Sequence, residues 1–232
     1  MSVPPFYRVL QEVHILSAFD DYLQRIEKWD TKTFLTVYKS GFSSKSKVVA
    51  KIFSFFGTFY FWGIFWLIWF LWTYFTTKDY YLLVIFTSGF EQSIIIHSLI
   101  RYKLVKRNRP YITLQTQGVQ MHDDFIRIPY LMSESERKSF PSGHVAFVIF
   151  FGTIFSVYFN NSLIFFIFLG LDLIIAVSRL ILGVHYPIDV IFGFIFGLFY
   201  ALLYIGLTVQ FWIAFYYWMG PIISNIIHLR FL

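Results

Sequence analysis

Three short polar clusters interrupt a chain that is otherwise dominated by apolar residues, and each holds side chains suited to handling a phosphoryl group. The first, Lys103-Leu-Val-Lys106-Arg107-Asn108-Arg109-Pro110, concentrates cations where guanidinium groups can grip phosphate oxygens in pairs. Taken alone it also fits basic residues that anchor a membrane span among headgroups. The second, Pro141-Ser142-Gly143-His144, opens an apolar run. Proline suits a first helical turn and glycine lets backbone approach a ligand, so free amides and the helix dipole make a ready anion site, or simply an ordinary helix cap. His144 stands at the edge of that cradle, and an imidazole is the natural group to protonate a leaving alkoxide near neutral pH. The third, Ser178-Arg179-Leu-Ile-Leu-Gly183-Val-His185-Tyr-Pro187-Ile-Asp189, places an acid one helical turn beyond a histidine. Asp189 can take the proton on one ring nitrogen of His185 and leave the other free as a nucleophile. Arg, His and Asp at a span boundary are costly in lipid, which favours function over a structural ion pair.

The elements that carry these clusters follow from composition. Of 232 residues, 57% are hydrophobic and 23% aromatic, while 14% are charged, against roughly 25% in a soluble domain. With a mean hydropathy of +0.63, the remaining solvent for so much apolar surface is lipid, which excludes an ordinary soluble globule. The expected fold is all-α, an integral membrane helical bundle. Apolar runs at 52–76, 80–100, 144–159, 163–182, 188–208 and 211–227 predict six spans, the third of them short and the last broken by Gly220 and Pro221. Met1 to Gln11 hold no apolar run, so a cleavable signal peptide is not expected. From Ser17, a possible cap, Phe19, Leu23, Ile26 and Trp29 recur at three- and four-residue steps among polar residues. They predict an amphipathic helix that either lies on the bilayer, with Trp29 and Phe34 in the headgroup zone, or packs on the polar end of the bundle. The chain therefore divides into an amino-terminal segment, 1–50, and a transmembrane catalytic domain, 51–232. Threading the spans alternately brings all three clusters, and the amino terminus, to one side of the membrane.

The ordered clusters resemble the signature of the type 2 phosphatidic acid phosphatase (PAP2) superfamily, which also includes vanadium-dependent haloperoxidases. That pattern runs Lys, six residues, Arg-Pro; then Pro-Ser-Gly-His; then Ser-Arg, five residues, His, three residues, Asp. Its second and third parts are present here in full. In the first, Arg109 matches, but only five residues separate it from Lys103 and the expected lysine position holds Tyr102, with Arg101 and Lys106 as substitutes. The resemblance implies that His185 attacks phosphorus to form a phosphohistidine, that Asp189 orients it, and that His144 protonates the leaving oxygen and later activates water. It implies further that Arg109, Arg179, Ser142, the Gly143 amide and Lys103 hold the phosphoryl oxygens with neither metal nor cofactor, the fixed cations supplying the charge stabilisation.

The activity expected from this is hydrolysis of a lipid phosphomonoester or pyrophosphate, with the bilayer and the lipid phosphate as partners. A lipid phosphotransferase using the same intermediate is the nearest alternative; a haloperoxidase, a transporter and a non-catalytic scaffold are weaker ones. Residues Tyr111 to Ser139 and the gaps between helices are where lipids would be told apart. A net charge of +6 does not point to nucleic acid, because the bases flank membrane segments. With no cysteine, neither disulfides nor thiolate metal sites are available. Glu91, Gln92 and Asp172 are expected to hydrogen-bond between helices, and His122, Asp123 and Asp124 to be a solvated loop and not a metal site. His14, His97 and His228 show no partner pattern. Sidedness divides the arguments: eight Lys and Arg up to Lys51 against Lys78 alone on the opposite loops point the site at the cytoplasm. The family resemblance points to the extracytoplasmic or lumenal face, and is favoured.

Overall fold

The computed structural model describes residues 5–122 and 137–231, and of 5–19 and 223–231 the backbone alone. Within them the chain is helical, with a single isolated antiparallel bridge between Asn108 and Lys138. Helix α1 runs from Pro5 to Tyr38, 34 residues or about 51 Å. It passes straight through Ser17, so that serine does not cap its start; between Pro5 and Ser40 no glycine or proline breaks the run. Phe34, expected in the headgroup zone, is instead fully buried and packs edge-on against Tyr186 at 5.4 Å. Trp29 stays exposed. Of the two placements open to the amphipathic helix, its described part takes the one against the polar end of the bundle.

Helices α2 (Gly41–Phe55) and α3 (Phe59–Phe75) are bent by 41° at a short break. Ser40 and Thr58 cap their starts by accepting from the Ser43 and Phe61 amides at 3.1 and 3.2 Å. Helix α4 (Tyr81–Leu99) continues as a π-helical turn over Ile100–Leu104, α5 (Pro110–Thr113) is a single turn, and α6 (Gly143–Tyr158), α7 (Ser162–Ile181), α8 (Pro187–Leu203) and α9 (Val209–Phe231) complete the bundle.

Three of these helical runs, Tyr81–Leu104, Ser162–Ile181 and Pro187–Ile222, are long and apolar enough to cross a membrane, and the α2–α3 pair makes a fourth if taken as one bent span. Helix α6 has only 16 residues, about 24 Å, and so falls short of a 30 Å hydrocarbon core. The break expected between the fifth and sixth spans does not occur: α8 leads into α9 through a π-helical turn at Tyr204–Thr208. Val209 and Gln210, which separate the two apolar runs in the sequence, contain no helix breaker, so the helix runs on through the π turn.

Helix α6 is the axis of the core, with Val145 through Gly152 all buried. Trp62, Phe86 and Phe90 close on Phe151, with ring centroids 4.2, 4.5 and 5.2 Å away. Such aromatic packing fixes the height and rotation of α6, and therefore of the Pro141-Ser142-Gly143-His144 turn at its head. Large apolar side chains such as Phe75, Leu202 and Leu207 point outward, as a lipid-facing surface requires.

Candidate active site

Each polar cluster is delivered to one end of the bundle by a helix terminus. Helix α7 stops one turn after Arg179: the Gly183 and Val184 amides return to the Leu180 and Arg179 carbonyls at 3.1 and 3.3 Å, and Gly183 takes the left-handed conformation (φ 76°) that ends a helix and redirects the chain. His185 follows directly, and Pro187 then starts α8, so that Asp189 lies in the first turn of the next helix. The Ser142 amide donates to the Asp189 carbonyl at 2.8 Å, joining the head of α6 to the head of α8. The first cluster is fastened to the same place by a short antiparallel pairing, in which the Ser139 amide donates to Arg107 and the Arg109 amide to Arg137 at 2.9 and 3.0 Å.

His185 and Asp189 are buried, with Nδ1 of the histidine 3.7 Å from Oδ2 of the aspartate. That is beyond hydrogen-bond length, and contacts of this kind often tighten only when substrate binds. Burial, followed by the Arg109, Arg179 and Arg101 guanidiniums, holds His185 well below the usual histidine range. The ring is therefore neutral at pH 7, and it also bonds the Ser139 backbone carbonyl, a contact that attack on phosphorus would have to exchange for the substrate. His144 lies within the field of the same three guanidiniums and of His185. Arg179 donates to the Ser54 hydroxyl and Arg109 Nε to the Lys138 carbonyl at 3.1 Å. Ser142, the N-cap residue of α6, is buried with a hydroxyl that has no hydrogen-bond partner among the described residues, and it makes no side-chain cap. Gly143 opens α6 beside the His97 ring and the Arg101 guanidinium.

Of the residues named for the first cluster, Arg109 carries its charge into the surroundings of both histidines, whereas Lys103 is solvent-exposed within the π turn. Arg101, two residues earlier, turns inward and donates to the Pro141 carbonyl. The π turn that follows α4 puts these neighbouring cations on different sides of the backbone. Sequence reasoning assigns no role to His97 or Asp30, and it groups Arg107 with the phosphate-gripping cations, whereas the structure pairs it with two carboxylates. His97 is buried with Nδ1 3.4 Å from the Tyr200 hydroxyl, and Arg107 bridges Asp189 to Asp30.

The remaining polar residues divide. Glu91 accepts from the Tyr216 hydroxyl at 2.6 Å, and Gln92 from Thr208 and Trp212 at 2.7 and 2.5 Å, as interhelical bonds between α4 and the α8–α9 run. Asp172 differs from that expectation: both carboxyl oxygens are buried without a hydrogen-bond partner among the described residues. His122 Nε2 lies 2.9 Å from the Lys47 ammonium and 3.1 Å from the Tyr38 hydroxyl. Asp123 and Asp124 lie outside the described residues, as do the side chains of His14 and His228.

The model of the PAP2 superfamily matches residues 80–213, more than half of the chain. The chain belongs to the PAP2 superfamily. By family this PAP2 protein is a phosphatase, and its apolar helices make it a membrane one. Among solved structures it is similar to LpxE of Aquifex aeolicus, at 20% identity over 75% of this chain and 93% of that one, with a TM-score of 0.51. It is also similar to a transmembrane PAP2-type phosphatidylglycerolphosphate phosphatase of Bacillus subtilis, at 20% identity over 88% and 96% of the two chains, with a TM-score of 0.57. At that identity the two structures establish a shared fold. No curated protein matches the chain.

One close approach inside the PAP2 site carries a prediction. At the α2–α3 break, a methyl group on Gly57 would stand 2.7 Å from His144 Cβ and 3.1 Å from its Cα, neither of which can swing aside. Gly57→Ala is expected to displace His144 and lower kcat about 10²-fold, the loss that misplacement of a reacting group by an ångström brings. Gly63→Ala on α3, where a methyl meets nothing within 4 Å, should leave kcat at the wild-type level in the same assay.

Proposed function

We propose that the protein hydrolyses a phosphomonoester or pyrophosphate of a lipid through a phosphohistidine, without a metal ion. The observation that carries this reading is the convergence of two buried or half-buried histidines and three guanidiniums on one end of the bundle, with Asp189 behind His185. The free ring nitrogen of His185 attacks phosphorus; an N–P bond forms as the P–O bond to the lipid breaks, and His144 gives its proton to the departing oxygen. Water then attacks phosphorus, His144 takes its proton, and the N–P bond breaks to release phosphate, which returns His144 to its protonated form and His185 to a neutral imidazole. Arg101, Arg109 and Arg179, the Ser142 hydroxyl and the Gly143 amide are assigned to the equatorial oxygens, with Arg101 in the place for which Lys103 was the first candidate. A shallow polar end on an apolar body suits a headgroup that enters sideways while its acyl or isoprenyl tail stays in lipid.

Phosphate release by purified protein from phosphatidate, phosphatidylglycerophosphate, an isoprenyl pyrophosphate, a sphingoid phosphate and lipid A phosphates tests the reading and selects the lipid. Because fixed guanidiniums neutralise the phosphoryl charge, activity should persist in excess EDTA and fall with vanadate. Loss on chelation with recovery in magnesium would contradict the assigned electrostatics.

The same proposal puts the site on the extracytoplasmic or lumenal face, a choice supported by the family resemblance against the distribution of Lys and Arg. Lacking native cysteine, the chain offers a clean test: Ser135→Cys should react with an impermeant maleimide outside intact cells. Reaction only after the membrane is opened would put the site in the cytoplasm.

A further inference from the structure

We propose that Asp30 and Arg107 are positioning residues for the nucleophile, so that helix α1 is part of the active site and not a membrane anchor appended to it. The inference rests on the assignment of His185 and Asp189 above and extends it to a segment that lies outside residues 80–213.

Asp30 and Asp189 are both completely buried, one on α1 and one on α8. Two carboxylates withdrawn from water are sustained only by partners that meet their oxygens directly. Arg107 is the shared partner. Its Nη1 donates to Asp189 Oδ1 at 3.1 Å and its Nη2 to Asp30 Oδ2 at 2.5 Å, a two-pronged bridge that suits the planar fork of arginine. The guanidinium also lies over the Tyr186 ring at 4.0 Å, and that ring is itself fixed, through its hydroxyl 2.5 Å from Thr113 and through Phe34 against its edge. Phe34 is one turn beyond Asp30 on the same face of α1, so one helix supplies both the apolar and the charged fastening.

The same two acids complete the head of α8. Tyr186 occupies the N-cap position, and Asp189 Oδ2 accepts from the Tyr186 amide at 2.8 Å. Asp30 Oδ1 accepts from the Ile188 amide at 2.9 Å, a cap delivered from 158 residues away. With Oδ1 held by Arg107 and Oδ2 by the Tyr186 amide, the plane of the Asp189 carboxylate is set from both sides, and Oδ2 is the oxygen that faces His185 Nδ1. Removing Asp30 releases one prong of the bridge and one amide of the helix that carries Asp189. The nucleophile then loses a fixed orienting partner while the phosphate-gripping guanidiniums stay where they are.

Purified full-length Asp30→Asn and Arg107→Gln are therefore expected to lose kcat by about 10–100-fold, as when a positioning partner of a reacting group is removed, with KM nearly unchanged. The double variant should be no worse than the poorer single one, because both act on one bridge. An independent readout is the ring resonances of His185 in 15N-histidine-labelled protein in detergent, identified by their loss in His185→Gln. These should shift in both variants and stay fixed in Asp20→Asn, an exposed acid on the same helix. If Asp30→Asn does not fold, Arg107→Lys, which keeps the charge but lacks the planar fork that spans the two carboxylates, carries the same test. Full kcat with unmoved His185 resonances overturns the proposal, as does a loss of activity that only follows the folded fraction while the resonances of the folded protein stay in place. If wild-type protein releases phosphate from none of the lipids, the proposed function fails, and the His185 resonances still decide whether Asp30 and Arg107 position that ring.

Discussion

His185→Ala is expected to reduce phosphate release by about 10⁴-fold or more while leaving a folded protein, the scale seen when a covalent nucleophile is deleted from a site whose binding groups remain. Among the described residues of the site, the other candidates are already engaged. Asp189 is already held by Arg107 and the Tyr186 amide, and His144 is assigned to the leaving oxygen. The fold should tolerate the change, since the ring gives up one backbone contact, to Ser139, while α7 and α8 are terminated and started by Gly183 and Pro187 on either side. Helical circular dichroism and a single elution volume in detergent check the fold alongside the phosphate assay. A folded His185→Ala protein with only a several-fold loss would remove the covalent step.

His144→Ala should be the second largest loss, about 10²–10⁴-fold on a lipid phosphate, the range for removing a positioned general acid. Its diagnostic is dependence on the leaving group. An alkoxide needs a proton as it departs, whereas an aryl oxide of low pKa does not, so the deficit should shrink markedly on an aryl phosphate. Equal deficits on both substrates would mean that His144 serves binding and not proton transfer. Because Gly57 lets His144 sit tightly against the α2–α3 break, Gly57→Ala should show the same leaving-group dependence in weaker form.

How far these residues were legible before the structure depends on the kind of signal each carried. Span-length apolar runs and the start of α8 at Pro187 could be read directly, because lipid demands long apolar helices and proline marks a first turn, whereas Pro141 precedes the N-cap of α6 instead of lying in its first turn. The gathering of Arg109, His144, Arg179, His185 and Asp189 followed from alternation of spans alone. The continuity of α8 with α9 was not legible, since a π turn has no sequence signature comparable to glycine or proline. The same is true of the divergence of Arg101 and Lys103, which depends on the π turn after Leu99. Asp30 is the instructive case. It reads as one more acid on a polar helix, yet it falls in register with Ile26 and Phe34, on the stripe where apolar residues belong. An acid on an apolar stripe signals a buried partner, but only the fold identifies that partner as Arg107, 77 residues away.

The most direct test of the account is to trap the covalent intermediate. The protein, mixed with a lipid substrate labelled with 32P in the scissile phosphoryl group, is quenched within a turnover at alkaline pH, where a phosphorus–nitrogen bond survives. Label should be recovered on His185 in peptide mass spectra, lost on brief acid treatment, and absent from His185→Ala. Label on another residue, or active protein that releases phosphate in single turnover with no label on any histidine, would contradict the phosphohistidine mechanism.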